Sequence, residues 1–182
     1  MSKNLQENRS WIRWLNQSYM IIDQLMSDIL CTGSTGFVGS NLLPTLIRSY
    51  SITLVNRDAH SSRSEVVLSM SYNDYWKKYT SNNHYIHLAG KAHDLKNLSD
   101  ESEYFEVNYE LTKRLYDRFL DDRVAQSFIF ISSVKAVADH VEGELTENNI
   151  PNPVTTYGQS KLKAEQYILN NVPRDKNVVI LR

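Results

Sequence analysis

A chain of 182 residues that is 41% hydrophobic and 23% charged has the apolar material for one globular core and too little for a comfortable pair of domains. A formal charge of −1 offers no electrostatic attraction for nucleic acid or an anionic membrane, which leaves a small ligand held by specific contacts as the expected partner. The single cysteine, Cys31, excludes an internal disulfide and reads as a small core residue in a reducing compartment, the cytoplasm.

Residues 1–26 are interrupted by Asn16, Gln17, Asp23 and Gln24, so neither a secretory leader nor a membrane span is predicted there. Trp11, Ile12, Trp14, Leu15, Tyr19, Ile22 and Leu25 recur at roughly helical spacing over 9–26. Two readings of that segment stand: an upstream extension with no role in the fold, or an amphipathic helix docked on the domain that runs from residue 27 to 182.

From Asp28 to Thr32 a short, largely apolar strand leads into Gly33, Gly36 and Gly39, after which the pattern turns helical. Each glycine has a separate task in a strand–turn–helix unit that cradles a pyrophosphate: Gly33 permits the tight turn, Gly36 the approach of backbone to anion, and Gly39 close packing of helix on sheet. The unpaired amides at the helix start then face the anion. The helix is predicted over Phe37–Ser49, with Pro44 forcing a kink or an early end.

Ser51–Arg57 reads as a second strand, and its end bears on ligand choice. An acidic residue there binds an adenosine ribose, whereas a nearby arginine pairs with a 2′-phosphate. Asn56 and Arg57 occupy these places, which favours NADP over NAD, although Asp58 could still reach the ribose and Arg57 could be a solvated surface group. Glu65–Ser69 is a third, short strand, and Tyr72–Asn83 is read as helix plus loop. Lys77 and Lys78 beside Trp76 read as a solvated helix face.

Tyr85–Gly90 is a fourth strand ending in the small pair Ala89 and Gly90, where a ligand can pass close to the backbone. Residues 101–122 form the strongest helical segment, with Phe105, Leu111, Leu115, Tyr116 and Phe119 on one stripe. Ser127–Ser133 is an unbroken apolar run suited to a strand buried on both faces. A loop with Pro151 and Pro153 leads to a helix over Tyr157–Asn170, and Asn177–Leu181 is a sixth strand. Alternating strands and helices predict an α/β, doubly wound parallel sheet of the Rossmann type.

Tyr157 and Lys161, four residues apart on a helix, project from one face and address one ligand. A phenol acts as a base near neutral pH only beside a positive charge, and an ammonium one turn away supplies it. Ser133, about 24 residues earlier at a strand end, would hold the substrate oxygen. The histidines are read as structural: His84 and His87 share a strand, His93 lies in a loop, and no cysteine or carboxylate stands at ligand spacing, so no metal site is expected.

In order along the chain, Thr32-Gly33-x-x-Gly36-x-x-Gly39, His87-Leu-Ala-Gly90, Asn108, Ser132-Ser133 and Tyr157-x-x-x-Lys161 resemble the extended short-chain dehydrogenase/reductases, the epimerase/dehydratase family of nucleotide-sugar enzymes. The likeness spans about residues 28–182. The segments Ser133–Asp139 and Thr156–Leu162 look most like bacterial sugar-nucleotide 4-epimerases and 4-reductases of surface-polysaccharide pathways. By that resemblance Gly33, Ser34, Thr35, Gly36, Phe37, Val38 and Gly39 line the pyrophosphate, Ala89, Gly90 and Lys91 pass the nicotinamide side, and Asn108 lies near the cofactor. Lys161 also binds the nicotinamide ribose, and Ser133 and Tyr157 flank the sugar.

The implied reaction oxidises a UDP-hexose at C4, lets the 4-keto sugar rotate and returns the hydride to the other face. The resemblance also implies a homodimer through helices 101–122 and 157–170, whose apolar residues serve equally as core. Three departures stand out. Members continue well beyond the last strand here into a substrate-binding part, an acidic residue usually stands at Asn56, and Gly and Tyr usually stand at Val137 and Ala138. Absence of the substrate part leaves a second expectation, a catalytically inactive dinucleotide-binding fragment.

Overall fold

The computed structural model describes residues 26–58, 62–64, 66–78, 80–92, 100–141 and 143–182; the segment 9–25 and His93 lie outside these. The apolar run before the glycines is β1 (Met26–Thr32), and the helical pattern after them is α1 (Phe37–Leu46). There follow β2 (Ile52–Asn56), a short β3 (Ser62–Arg63), β4 (Val67–Ser71), α2 (Tyr72–Lys77) and β5 (Ser81–His87). Next come α3 (Glu101–Phe105), a π turn (Glu106–Glu110) and α4 (Leu111–Asp121), one continuous helical rod. β6 (Ser127–Ile131), a 3₁₀ turn (Val134–Ala136), α5 (Thr156–Asn170) and β7 (Asn177–Leu181) complete the described chain.

The strands form one seven-stranded sheet in the order β3-β4-β2-β1-β5-β6-β7. All pairings are parallel except that of β3 with β4. β1 carries β2 on one side, with Thr32 opposite Val55, and β5 on the other, with Thr32 opposite His87. Chain direction through the sheet reverses at β1, and in an open parallel sheet that point leaves a crevice beyond the strand ends where ligands bind.

Alternation along the strands sorts the core into two faces. Leu30, Val55, Tyr85, Phe128 and Phe130 face α2, α4 and α5, which contribute Tyr75, Leu115, Tyr116, Phe119, Ala164 and Ile168. Rings meet edge to face there, Tyr85 with Phe119 at 5.6 Å and Tyr116 with Phe128 at 5.0 Å. Each such fully buried ring stabilises the fold by about 2–3 kcal/mol. Of the stripe predicted on helix 101–122, Leu115, Tyr116 and Phe119 are thus core of this chain, while Phe105 and Leu111 are only half-buried. Ile29, Cys31, Ile52, Leu54 and Ile86 face the other way, under Leu42, Leu43 and Leu46 of α1.

Element boundaries depart from the sequence reading where a local signal was overridden. α1 runs through Pro44, whose missing amide leaves the Ser40 carbonyl without its helical donor, and stops at Leu46, short of the predicted Ser49. β4 begins two residues later than predicted. β5 begins at Ser81, four residues earlier, because the polar Asn82 is buried in strand conformation by Asp122: its amide donates to Asp122 Oδ2 at 2.9 Å, as does the Tyr85 hydroxyl. The same strand stops at His87, so Leu88–Gly90 is extended loop.

Candidate active site at the sheet switch point

The turn after β1 is shaped by three glycines for different reasons, and the close approach at Gly39 is to the turn itself rather than to the sheet as expected, since a β-carbon there would stand 2.4 Å from the Gly33 carbonyl oxygen. Gly33 sits at φ +70°, and a β-carbon there would lie 2.5 Å from the Ala89 nitrogen. Gly36 is extended rather than left-handed, and a β-carbon there would meet only the Gly33 carbonyl, at 3.4 Å. Nothing in the chain's own packing requires glycine at 36; the space a side chain would take is the cradle in front of α1.

That helix start is also uncapped. α2, α3 and α5 open on Ser71, Asp100 and Thr155, whose side chains accept the amides of Asp74, Ser102 and Gly158. α1 opens on Gly36 with no side-chain cap and no acidic residue in its first turn. Its first amides and its dipole therefore point unneutralised into the crevice, and Phe37 and Val38 beside them are exposed.

A cavity of about 860 Å³ extends from this turn. Asn56, Arg57 and Asp58 stand at one end of it, Tyr72 and Trp76 form an aromatic wall, and Leu88, Ala89 and Gly90 lie at the other end. Asn56 Nδ2 donates to Ser34 Oγ at 2.8 Å, while its buried Oδ1 has no partner among the described residues. Arg57 is exposed and pairs with Asp58 at 3.1 Å, so its guanidinium is held at the rim by a bond that solvent screens. Arg114 lies over Trp76 at 4.2 Å and stiffens the wall.

Behind the crevice a buried polar chain joins β1, β5 and the helical rod. Thr112 donates its hydroxyl to the Asn108 carbonyl at 2.7 Å, so it accepts from His87 Nε2 at 2.8 Å. His87 Nδ1 must then accept, and Thr32 donates to it at 2.6 Å while its own oxygen takes the Ala89 amide at 3.4 Å. Burial, with Lys161 nearby, holds the His87 imidazole neutral, its pKa pushed down to about 3. His87 is a structural clamp, and His84 likewise bonds Ser127, at 2.8 Å.

Asn108 sits fully buried at the centre of the π turn, an irregularity that displaces its side chain from the ordinary helical ladder. It binds Lys91 as one strand binds another: the Lys91 amide donates to Oδ1 at 2.7 Å, and Nδ2 donates to the Lys91 carbonyl at 3.0 Å. Nδ2 also donates to Ser160 on α5 at 3.0 Å. Lys91 reaches Glu103 at 2.9 Å. One side chain thereby ties the Ala89–Lys91 loop to two helices.

Lys161 is buried, donates to the Ile131 carbonyl at 2.9 Å and lies 4.6 Å from the centre of the Phe130 ring. Burial brings its ammonium pKa down to about 8, against the opposing pull of the Glu165 carboxylate. Ser133 follows two residues after Ile131; its oxygen accepts the Lys135 amide at 3.2 Å, which leaves the hydroxyl proton to donate. Tyr157 stands in the first turn of α5, half-buried, with its ring edge to face against Tyr104 at 6.4 Å. Ser133, Lys161 and the start of α5 thus meet at the C-terminal end of β6.

The start of α5 is fixed by a residue that sequence reading passed over. Asp139 accepts the Val154 amide at 2.6 Å, the Thr155 amide at 3.0 Å and the Thr155 hydroxyl at 2.5 Å. Thr155 in turn caps Gly158 at 3.1 Å. Burial pushes the Asp139 carboxyl up, but the hydrogen bonds from Thr155 and Val154 and the Lys135 charge outweigh it and hold the group below the usual carboxylate range. A threonine before a helix is a readable cap; an aspartate 16 residues upstream of it carries no local signal. Tyr72 and Trp76, which line the cavity, were likewise hidden in a stretch without periodicity.

Among the described residues no group of three or more His, Cys, Asp or Glu could hold a metal ion, and no helix is long and apolar enough to cross a membrane.

Residues 29–182 match the NAD dependent epimerase/dehydratase family. A UDP-glucose 4-epimerase of Vibrio cholerae is 33% identical over 175 residues, covering 87% of this chain and 52% of that protein. Among solved structures, a UDP-glucose 4-epimerase with UDP-glucose from Thermotoga maritima has a TM-score of 0.71 at 22% identity, covering 85% of this chain and 54% of that one. A UDP-glucuronic acid 4-epimerase from Bacillus cereus in complex with NAD has a TM-score of 0.68 at 21% identity, covering 85% and 56%. The chain spans about half the length of these relatives. Its sequence from the first core strand onward, and the Rossmann-type sheet that this sequence builds, place the chain in the NAD-dependent epimerase/dehydratase family.

Proposed function

We propose that residues 27–182 are the dinucleotide-binding domain of a nucleotide-sugar 4-epimerase, or of a reductase acting at the same carbon, with residues 1–26 as an extension. The observation that carries this reading is the uncapped start of α1 facing one side of a crevice whose other side leads to the Lys161 ammonium. The glycine cradle, the orphaned Asn56 oxygen and the aromatic wall fit a dinucleotide. When bound, NAD(P) supplies hydride transfer to and from C4 of the sugar.

The chain's own residues do the rest. The amides from Gly33 to Gly39, with Ser34 and Thr35, hold the pyrophosphate, and Asn56 takes the adenosine ribose. Arg57 reads a 2′-phosphate, which favours NADP over NAD. Ala89, Gly90, Lys91 and Asn108 form the wall on the nicotinamide side. Lys161 binds the adjacent ribose and places a positive charge beside Tyr157. Tyr157 takes the proton from the C4 hydroxyl as hydride leaves and returns it afterwards, while Ser133 holds the sugar oxygen.

Similarity to a UDP-glucose 4-epimerase supports a UDP-hexose as substrate; the place of the reaction in surface-polysaccharide synthesis rests on the sequence resemblance alone. Free Cys31 supports a cytoplasmic setting, and the helical rod with α5 is the proposed homodimer face.

Titration of the chain with NADH and with NADPH, followed by reduced-nicotinamide fluorescence, tests the reading. Both should bind, NADPH more tightly, and Tyr157→Phe should bind as well as the parent while losing any turnover of UDP-hexose. Failure to bind either nucleotide would overturn it.

A further inference from the structure

Different parts of the chain hold Tyr157 at its backbone and at its ring. At the backbone, Gly158 is pressed against the turn that Ser133 opens: a β-carbon on it would collide with the Lys135 carbonyl oxygen and the Pro153 ring. Glycine weakens a helix relative to alanine, so its place here follows from close approach rather than helix preference. With Thr155 capping the Gly158 amide at 3.1 Å, this contact fixes the Tyr157 backbone against the serine turn.

That clamp leaves the side chain free to turn. Rotation about χ1 and χ2 carries a phenol far beyond the hydrogen-bond reach that proton transfer needs. Tyr157 stands in the first turn of α5 and is only half-buried, so packing from its own helix does not stop it. Its partners in the proposed chemistry are tied elsewhere: Ser133 Oγ accepts the Lys135 amide at 3.2 Å, and Lys161 donates to the Ile131 carbonyl at 2.9 Å. What the ring meets among the described residues is Tyr104 of α3, centre to centre at 6.4 Å and inclined by 64°, within the edge-to-face range of aromatic pairs.

We propose that Tyr104 is a positioning residue for Tyr157: its ring, braced by Lys91 and by the helical rod, holds the phenol in one rotamer at the start of α5. The proposal rests on the reading of Tyr157 as the base given above. The brace has two parts. Lys91 Nζ lies 5.5 Å from the centre of the Tyr104 ring and pairs with Glu103 at 2.9 Å. The Lys91 backbone is bound in both directions by Asn108, on the π turn into which α3 runs without a break. Tyr104 thus ties the phenol to the same rod and the same loop that form the inner wall of the crevice.

The test observes the Tyr157 ring in the whole chain without cofactor. Chain carrying ¹³C,¹⁵N-labelled tyrosine is followed by NMR, with Tyr157 and Tyr104 each assigned by their absence in Tyr157→Phe and Tyr104→Phe. The parent should show a ring-to-ring nuclear Overhauser effect between the two residues, and a three-bond coupling from N to Cγ of Tyr157 that reports a single χ1 rotamer. Tyr104→Phe keeps the ring and should leave that coupling unchanged. Tyr104→Leu removes the ring, and the ratio of the held rotamer to the others should fall about two- to tenfold, the range that one aromatic pair supports. Urea unfolding of both variants separates lost packing, which a merely structural Tyr104 also predicts, from lost orientation, which it does not.

A Tyr157 coupling unchanged in folded Tyr104→Leu overturns the proposal. So does the absence of the ring-to-ring effect in the parent, a measurement that needs no variant to fold. Because no cofactor is present, a Tyr157 indifferent to Tyr104 in a chain that binds NADH and NADPH overturns this proposal and leaves the proposed function standing. A Tyr157 released by Tyr104→Leu, in a parent chain that binds neither nucleotide, does the reverse.

Discussion

Gly90 and Lys161 are so close that a β-carbon on the glycine would stand 3.1 Å from the lysine Nζ and 3.2 Å from Asn108 Oδ1. The backbone of the Leu88–Gly90 loop is therefore in contact with the two side chains that organise the inner end of the crevice. Gly90→Ala should fold, at a cost of about 1–2 kcal/mol from overpacking, and should weaken NADH binding about tenfold by displacing the ammonium. Urea unfolding and fluorescence titration separate the two effects; unchanged NADH affinity would remove Lys161 from the cofactor wall.

His87 makes stability depend on pH. In the unfolded chain an imidazole binds a proton below about pH 6.5, whereas the folded group resists protonation until about pH 3. Across that window the unfolded state holds more protons, so stability falls as the pH drops, by up to about 1.4 kcal/mol per unit from this group. Urea unfolding between pH 4 and 7 should show that slope in the parent and a flatter one in His87→Gln. Equal slopes would mean that the clamp is not neutral histidine.

Asp139 holds the entrance to α5 through three bonds to Val154 and Thr155. Asp139→Ala should lower stability by about 1–2 kcal/mol, the scale of a lost cap with one charged hydrogen bond. The variant's amide exchange should rise at Val154, Thr155 and Gly158 before it rises in β6. Exchange that rises uniformly would contradict a local role.

Arg57 is the residue on which coenzyme choice is proposed to turn. Its only mapped partner among the described residues is Asp58, at 3.1 Å on an exposed surface, a pairing weak enough for a phosphate to displace. Arg57→Ala should weaken NADPH binding about tenfold and leave NADH unchanged, since a charge-assisted bond to one phosphate is worth about that much. Parallel losses for both nucleotides would assign Arg57 to general electrostatics.

How much of this was legible in the sequence follows from the range of each interaction. The glycine spacing, the apolar run of β6 and the four-residue interval between Tyr157 and Lys161 are local patterns, and they imply the strand–turn–helix unit, the alternating architecture and the main candidate residues. The period of a helix or strand relates neighbours a few residues apart, so such patterns survive folding. β5 shows the limit: its polar first half became strand because Asp122, 40 residues on in the chain, satisfies Asn82.

By itself, then, the sequence determined a doubly wound sheet, a glycine-rich turn between its first strand and helix, and a serine, tyrosine and lysine in family order. Only the tertiary structure decided what supports them. The Thr32–His87–Thr112 chain, the Asn108 bridge between Lys91 and Ser160, the Asp139 clamp on α5 and the Arg182 grip on Glu165 each join residues from 15 to 55 positions apart. Such pairs leave no periodicity to read. Folding buries their polar groups together, and burial makes leaving any one of them unpaired costly.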